Sequence, residues 1–167
     1  TFGCSRVIWN MMLADKIKHY EDTKETLYNT PAQYKKDFPW LREVDSLALC
    51  NVQLNLQTAY KNFFQSGFGF PKFKKKSHAQ SYKTNNRNGS ITVENGYVKL
   101  PKVGWVKVKE HRQIDGIIKS ATISMIPTGK YYISILCETE ITPLPRSNSS
   151  VGIDLGLSDF AILSTGE

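Results

Sequence analysis

Two sets of residues in this chain could do chemistry: one carboxylate in an apolar run, and lysines interleaved with aromatic rings. The carboxylate is Asp154, in Val151-Gly152-Ile153-Asp154-Leu155-Gly156. Val151, Ile153 and Leu155 alternate with smaller or polar residues, which predicts a strand. A charge buried in such a strand is costly without a partner. A hard cation such as Mg²⁺ is a common partner, because it prefers carboxylate oxygen. Gly152 and Gly156 leave room for another backbone or a phosphate to approach. Phe160 to Leu163 reads as a second strand, antiparallel to the first across a turn at Leu157-Ser158-Asp159. The other reading of the same residues is a hairpin with Asp154 on its solvent face.

The lysines begin at Lys72-Phe73-Lys74-Lys75-Lys76 and continue at Ser81-Tyr82-Lys83-Thr84-Asn85-Asn86-Arg87. Cations release counterions from a phosphate backbone, and rings between them can stack on bases. From Lys72 to Arg112 the chain carries eleven Lys/Arg and two Glu, a net of +9, whereas the whole chain is +7. The excess positive charge therefore belongs to one segment, and a focused field of that sign favours a polyanion. A solvated charged face is the alternative. No apolar run approaches the roughly 18 residues of a membrane-spanning helix. Cys4, Cys50 and Cys137 are odd in number and widely spaced, which suggests free thiols in a reducing compartment.

The elements that would position these groups follow in order. A helix from about Cys4 to Tyr20 has Val7, Ile8, Met11, Met12 and Leu13 on its apolar face, continued by Ile17 and Tyr20. A short second helix starts with Thr30 as N-cap, Pro31 at its first position and Gln33 closing a capping box. Phe38-Pro39 ends it. A third helix, capped by Asp45 or Ser46 and running to about Gln65, shows the stripe Leu49, Val52, Leu56, Ala59, Tyr60, Phe63. Ser66 to Pro71 breaks it. The period then changes to two. Asn95-Gly96 predicts a type I′ hairpin, Trp105 to Lys109 alternates, and 117–126 with 131–140 forms a further hairpin. The block reads as an antiparallel barrel or sandwich of five or six strands. Ile141 to Ser150, with two prolines and three serines, reads as a linker.

These pieces, in this order, resemble the TnpB family, the transposon-encoded RNA-guided nucleases of bacterial insertion sequences and relatives of type V CRISPR effectors. The matching residues are Gly3-Cys4-Ser5-Arg6, Glu43 to Leu49, Ala59 to Phe64, Phe70 to Lys74, Lys99 to Lys107, Gly152 to Gly156 and Asp159-Phe160-Ala161. Gly-Ile-Asp-Leu-Gly also occurs in actin-like ATPases, but the other pieces do not fit that reading.

The resemblance implies an α+β chain: a helical recognition unit over 1–70, a basic OB-like wedge barrel over 71–141, a linker over 142–150, and the start of an RNase H-like RuvC domain over 151–167. It implies a guide RNA and a target DNA as partners, a short DNA motif read before unwinding, and no membrane. It implies Asp154 as the first catalytic, metal-holding carboxylate of a Mg²⁺-dependent endonuclease, in the bacterial or archaeal cytoplasm near the nucleoid. The motif-reading positions carried over are Tyr28, Thr30, Ser46, Cys50, Tyr82, Thr84 and Asn85. Lys72, Lys74, Lys75 and Lys83 are the expected backbone contacts. The family also has a wedge strand ahead of position 1, and, after the first RuvC strand, a Glu, a zinc ribbon and a final Asp. With one of three carboxylates, 167 residues alone are expected not to cleave DNA; the rest of RuvC would come from a continuing chain or a split partner. The alternatives are a nuclease-inactive RNA- or DNA-binding module, such as an RNA-guided repressor, and a plain OB-type RNA-binding protein.

Overall fold

The computed structural model describes residues 1–143, 150–156 and 160–165. Its helical part contains α1 (Phe2–Thr23), α2 (Pro31–Asp37), a 3₁₀ turn (Pro39–Arg42) and α3 (Ser46–Ser66). Ile8, Met12 and Leu13 of α1 face Leu49, Val52 and Leu56 of α3, with Leu41 of the 3₁₀ turn between them. Trp9 is buried with them, although it lies off the expected stripe, and Tyr20 is exposed. Each fully buried Leu or Ile contributes about 1.5–3 kcal/mol, so this layer is the main tie between helices.

The helix ends follow their sequence signals. Thr30 N–H donates to Gln33 Oε1 at 2.9 Å, and Pro31 opens α2. Phe38 adopts φ −124, ψ 77 before Pro39, and α2 stops there. Asp45 accepts from Leu47 N and Ala48 N, each at 3.2 Å, and so caps α3. Gly67 closes α3 in the left-handed region at φ 67.

Six strands follow in two antiparallel sheets, ordered β1-β5-β6 and β2-β3-β4. The first contains β1 (Gln80–Asn85), β5 (Ile117–Met125) and β6 (Tyr131–Glu138); the second contains β2 (Thr92–Glu94), β3 (Tyr97–Leu100) and β4 (Gly104–Lys107). Asn95 and Gly96 both take positive φ, 51 and 75, as a type I′ turn requires. Gly116 enters β5 at φ 93, where a Cβ would lie 2.3 Å from the Glu138 carbonyl oxygen, so only glycine fits. Tyr82, Ala121 and Ile123 from one sheet meet Val98 and Leu100 from the other, with Ile91 just ahead of β2, in a second core. Ala48 of α3 joins that core, so α3 serves both.

The expected OB-like barrel is not closed. Among the described residues no backbone pairing joins the two sheets. β4 ends at Lys107, and 108–116 is irregular, so no strand reaches across to β6. A cavity of about 610 Å³ remains between Val98 and Val108 on one side and Ile133 and Ile135 on the other. The arrangement is a sandwich, the other form the alternation allowed.

β7 (Ile153–Asp154) pairs antiparallel with β8 (Ile162–Leu163), Asp154 opposite Ile162. The hairpin expected there is formed, but only two residues of each strand pair. Its turn at Leu157-Ser158-Asp159 lies outside the described residues, as does 144–149 of the expected linker.

Candidate nucleic-acid interface

The basic loop is held by α1. Trp9 Nε1 donates to the Lys72 carbonyl at 2.9 Å. Asn10 bonds the Lys74 peptide on both sides: Nδ2 donates to Lys74 O at 3.0 Å and Oδ1 accepts from Lys74 N at 2.8 Å. Lys74 Nζ stands 4.1 Å from the centre of the Trp9 ring, a cation–π distance. Burial pushes the Lys74 ammonium below the usual lysine pKa. The loop is thus a positioned feature, with Lys72, Lys74, Lys75 and Lys76 all exposed along it, the Lys74 ammonium alone turned onto a ring.

Its charge is uncompensated. Among the described residues the ion pair found is Lys119 with Glu138, and neither belongs to 72–112. Among the described residues, none of the cations in that segment is neutralised by a carboxylate in contact. Phe64, Phe68, Phe70 and Phe73 are exposed around the same loop, with Phe70 set edge-on against Tyr60 and Phe63 at 5.6 and 5.3 Å. Rings beside unpaired cations can stack on bases while the cations meet phosphate.

The start of α3 lies against β1, the edge strand of its sheet. Thr84 Oγ1 donates to Asp45 Oδ2, and Asn51 Nδ2 donates to Asn85 Oδ1 at 3.2 Å. Ser46 and Cys50, one turn apart, are exposed on α3, and Asn85 is exposed at the end of β1. The Asn51–Asn85 and Asp45–Thr84 bonds set the end of β1 beside the start of α3, where these three exposed side chains form a rim. Lys35 Nζ donates to Ser46 Oγ at 2.7 Å and ties α2 to it. Tyr28 and Thr30 are exposed on the segment entering α2, away from those bonds.

Tyr82 and Thr84 do not have the placement expected of base readers. Tyr82 is 7% exposed and Thr84 1%. The Tyr82 ring packs edge-on against Phe2 at 5.2 Å, and the Thr84 hydroxyl is taken by Asp45. In a strand, neighbours face opposite ways: Tyr82 and Thr84 point into the core, whereas Lys83 and Asn85 alternate outward. Lys83 is half-buried.

Asp154 also departs from expectation. It is exposed, as are Ile153, Leu155, Phe160 and Ile162 beside it. No layer among the described residues covers the hairpin, so the carboxylate pays no desolvation cost and needs no partner. Gly152 faces Ser164, whose hydroxyl accepts its N–H at 2.9 Å. Among the described residues no three His, Cys, Asp or Glu side chains cluster. Mg²⁺ takes near-octahedral oxygen coordination, and toward such a set the described residues supply the one carboxylate of Asp154.

Trp9, Asn10, Arg6, Gln80 and Asn51 carry much of this geometry and no sequence signal marks them, since their partners lie up to 74 residues away. The thiols of Cys4, Cys50 and Cys137 are free. No described helix is long and apolar enough to cross a membrane.

Residues 1–25 match a helix-turn-helix domain family of the IS605 OrfB type. In this structure those residues are one continuous helix, α1, with its exit. The chain is 34% identical over 172 residues to an Escherichia coli K12 protein named "Putative RNA-guided DNA endonuclease InsQ", covering 98% of this chain and 42% of that one. It is 32% identical over 179 residues to a Streptomyces pristinaespiralis protein named "Putative RNA-guided DNA endonuclease", covering 100% of this chain and 44% of that one. The chain thus spans less than half the length of these curated relatives. The similarity spans nearly the whole of this chain, helices and sheets alike, and by sequence the chain belongs to the TnpB family.

Proposed function

We propose that this chain is the nucleic-acid-binding N-terminal part of an RNA-guided DNA endonuclease. Its partners are a guide RNA and a target DNA, and the two sheets play the part of the wedge unit. The observation that carries the reading is the basic, aromatic loop 72–76, clamped by Trp9 and Asn10 and free of carboxylate partners among the described residues. Phosphate contacts there position a strand, and the rim of Ser46, Cys50 and Asn85 is the place where bases of an adjacent DNA motif would be read. Asp154 is proposed as the first RuvC carboxylate of a protein of the relatives' length, where Mg²⁺ would supply charge stabilisation at the scissile phosphate. For the 167 residues by themselves, an exposed Asp154 with no cluster of ligands around it among the described residues favours binding without cleavage.

Fluorescence anisotropy with a labelled single-stranded RNA at graded salt tests the binding role. Replacing Lys72, Lys75 and Lys76 with Ala should reduce the slope of log K against log salt by roughly 2, about 0.7 per lost phosphate contact. Lys74→Ala should reduce it by less than Lys75→Ala, because Lys74 already faces Trp9. An unchanged slope in the triple variant would leave these lysines as ordinary surface charge.

A further inference from the structure

A groove of about 390 Å³ lies between the start of α1, the first half of α3, segment 74–79 and β1. Arg6, Lys75, His78 and Lys83 line it from α1, the loop and β1, and among the described residues no Asp or Glu does. Arg6 is oriented: Nη1 donates to Gln80 Oε1 at 2.8 Å. Gln80 is neutral, so it fixes the guanidinium without cancelling its charge. One bond leaves most of the five guanidinium donors free. Lys74 also borders the groove, but its ammonium is turned to Trp9. From α3, Asn55 adds an exposed amide, with Ala48 and Val52 buried beneath the groove.

Cations converging from three elements on a concave site focus positive potential there. A planar guanidinium held in place matches two oxygens of a phosphate at once. We propose that this groove seats one backbone phosphodiester of a bound nucleic-acid strand, gripped by Arg6 with Lys75 and Lys83. This rests on the nucleic-acid reading above and adds to it a defined seat, separate from the exposed loop lysines 72 and 76 and from the base-reading rim. The chemistry recognised is the phosphodiester, which RNA and DNA share.

The test is an NMR titration of the isotopically labelled chain with the dinucleotides UpU and TpT, and with a UpU analogue whose linkage is a neutral methylphosphonate. Both charged dinucleotides should shift the Arg6 and Gln80 side-chain resonances saturably, and the neutral analogue should not. Arg6→Gln should keep the dispersed spectrum of a folded chain while weakening the apparent Kd roughly tenfold, the loss of about one charged hydrogen bond. Shifts confined to 72–76 and indifferent to Arg6→Gln would overturn the groove and leave the general reading standing. Equal response to the neutral analogue, or response to UpU with none to TpT, would overturn the assignment to phosphate. No shift at any residue would overturn the groove and the binding role together.

Discussion

The Lys74 ammonium stands over the Trp9 ring at 4.1 Å, while the Trp9 indole N–H holds the carbonyl of Lys72 at 2.9 Å. One buried ring on α1 thus fixes both a charge and a backbone turn of the basic loop. Asn10, the next residue, fixes the Lys74 peptide from both sides.

Loop position, separate from loop charge, should therefore matter for binding. Asn10→Ala removes no charge, yet it frees the Lys74 peptide and should weaken RNA affinity. Trp9→Phe keeps a ring and loses the donor, costing about 1 kcal/mol of stability, whereas Trp9→Ala should cost about 3–5 kcal/mol. Denaturant unfolding and anisotropy check both. Unchanged affinity in Asn10→Ala would show that the loop acts through charge alone.

Adjacent residues of β1 should behave in opposite ways. Thr84→Val removes the bond to Asp45 and leaves a carboxylate short of a partner, so it should lower stability by about 1–3 kcal/mol. Cys50→Ala on the exposed rim should leave stability within about 0.5 kcal/mol, and Asn85→Ala and Ser46→Ala, each losing one hydrogen bond, should cost no more than about 1 kcal/mol. In a protein of the relatives' length, the rim changes should alter which target-adjacent DNA motif is accepted, measured by motif depletion. Equal loss across all motifs at Ser46 and Asn85 would count against base reading at the rim.

A pH effect follows from Tyr34. Its hydroxyl donates to Asp15 and accepts from Asn29 Nδ2 at 2.8 Å. Burial first, then the bond to Asp15, push its pKa well above the ordinary value of 10.0. The folded state holds this proton more tightly than the unfolded state does. Its contribution is complete below the unfolded pKa, near 10, and is lost as pH rises from there through the folded pKa. Wild-type stability should therefore fall above about pH 10 more steeply than that of Tyr34→Phe. Tyr34→Phe itself should be less stable at neutral pH by about 1 kcal/mol or more. Parallel pH–stability curves for the two proteins would refute the linkage.

Asp154 should be silent in this chain. It is exposed on the hairpin, so Asp154→Ala should change stability by less than about 0.5 kcal/mol and leave RNA binding intact. In a protein of the relatives' length, Asp154→Ala and Asp154→Asn should both abolish Mg²⁺-dependent cleavage while DNA binding persists. Asp159, outside the described residues, is the control expected to tolerate Asn. Robust Mg²⁺-dependent cleavage by residues 1–167 alone would overturn the idea of a carboxylate set completed elsewhere.

Local rules in the sequence were enough for much of this protein. The α3 stripe, the Asp45 cap, the Thr30-Pro31-Gln33 start, the Phe38-Pro39 stop, the Asn95-Gly96 turn and the hairpin at Asp154 each depend on residues a few positions apart, and spacing or turn chemistry reveals them. The order of motifs likewise carried family membership. What spacing could not reveal was which side of an element meets what. β1 was not legible as a strand, because only Tyr82 and Thr84 of its six residues are buried and polar neighbours blur the alternation. The sides of Thr84 and Asn85 were decided by α3 and the second sheet packing against β1. Whether alternating strands close into a barrel depends on an edge finding a partner, and here β4 stops short of β6. The grip of Trp9 and Asn10 on the basic loop joins residues 63 and 64 positions apart, and the bond from Arg6 to Gln80 spans 74. Such contacts are products of chain packing, and only the tertiary structure could decide them.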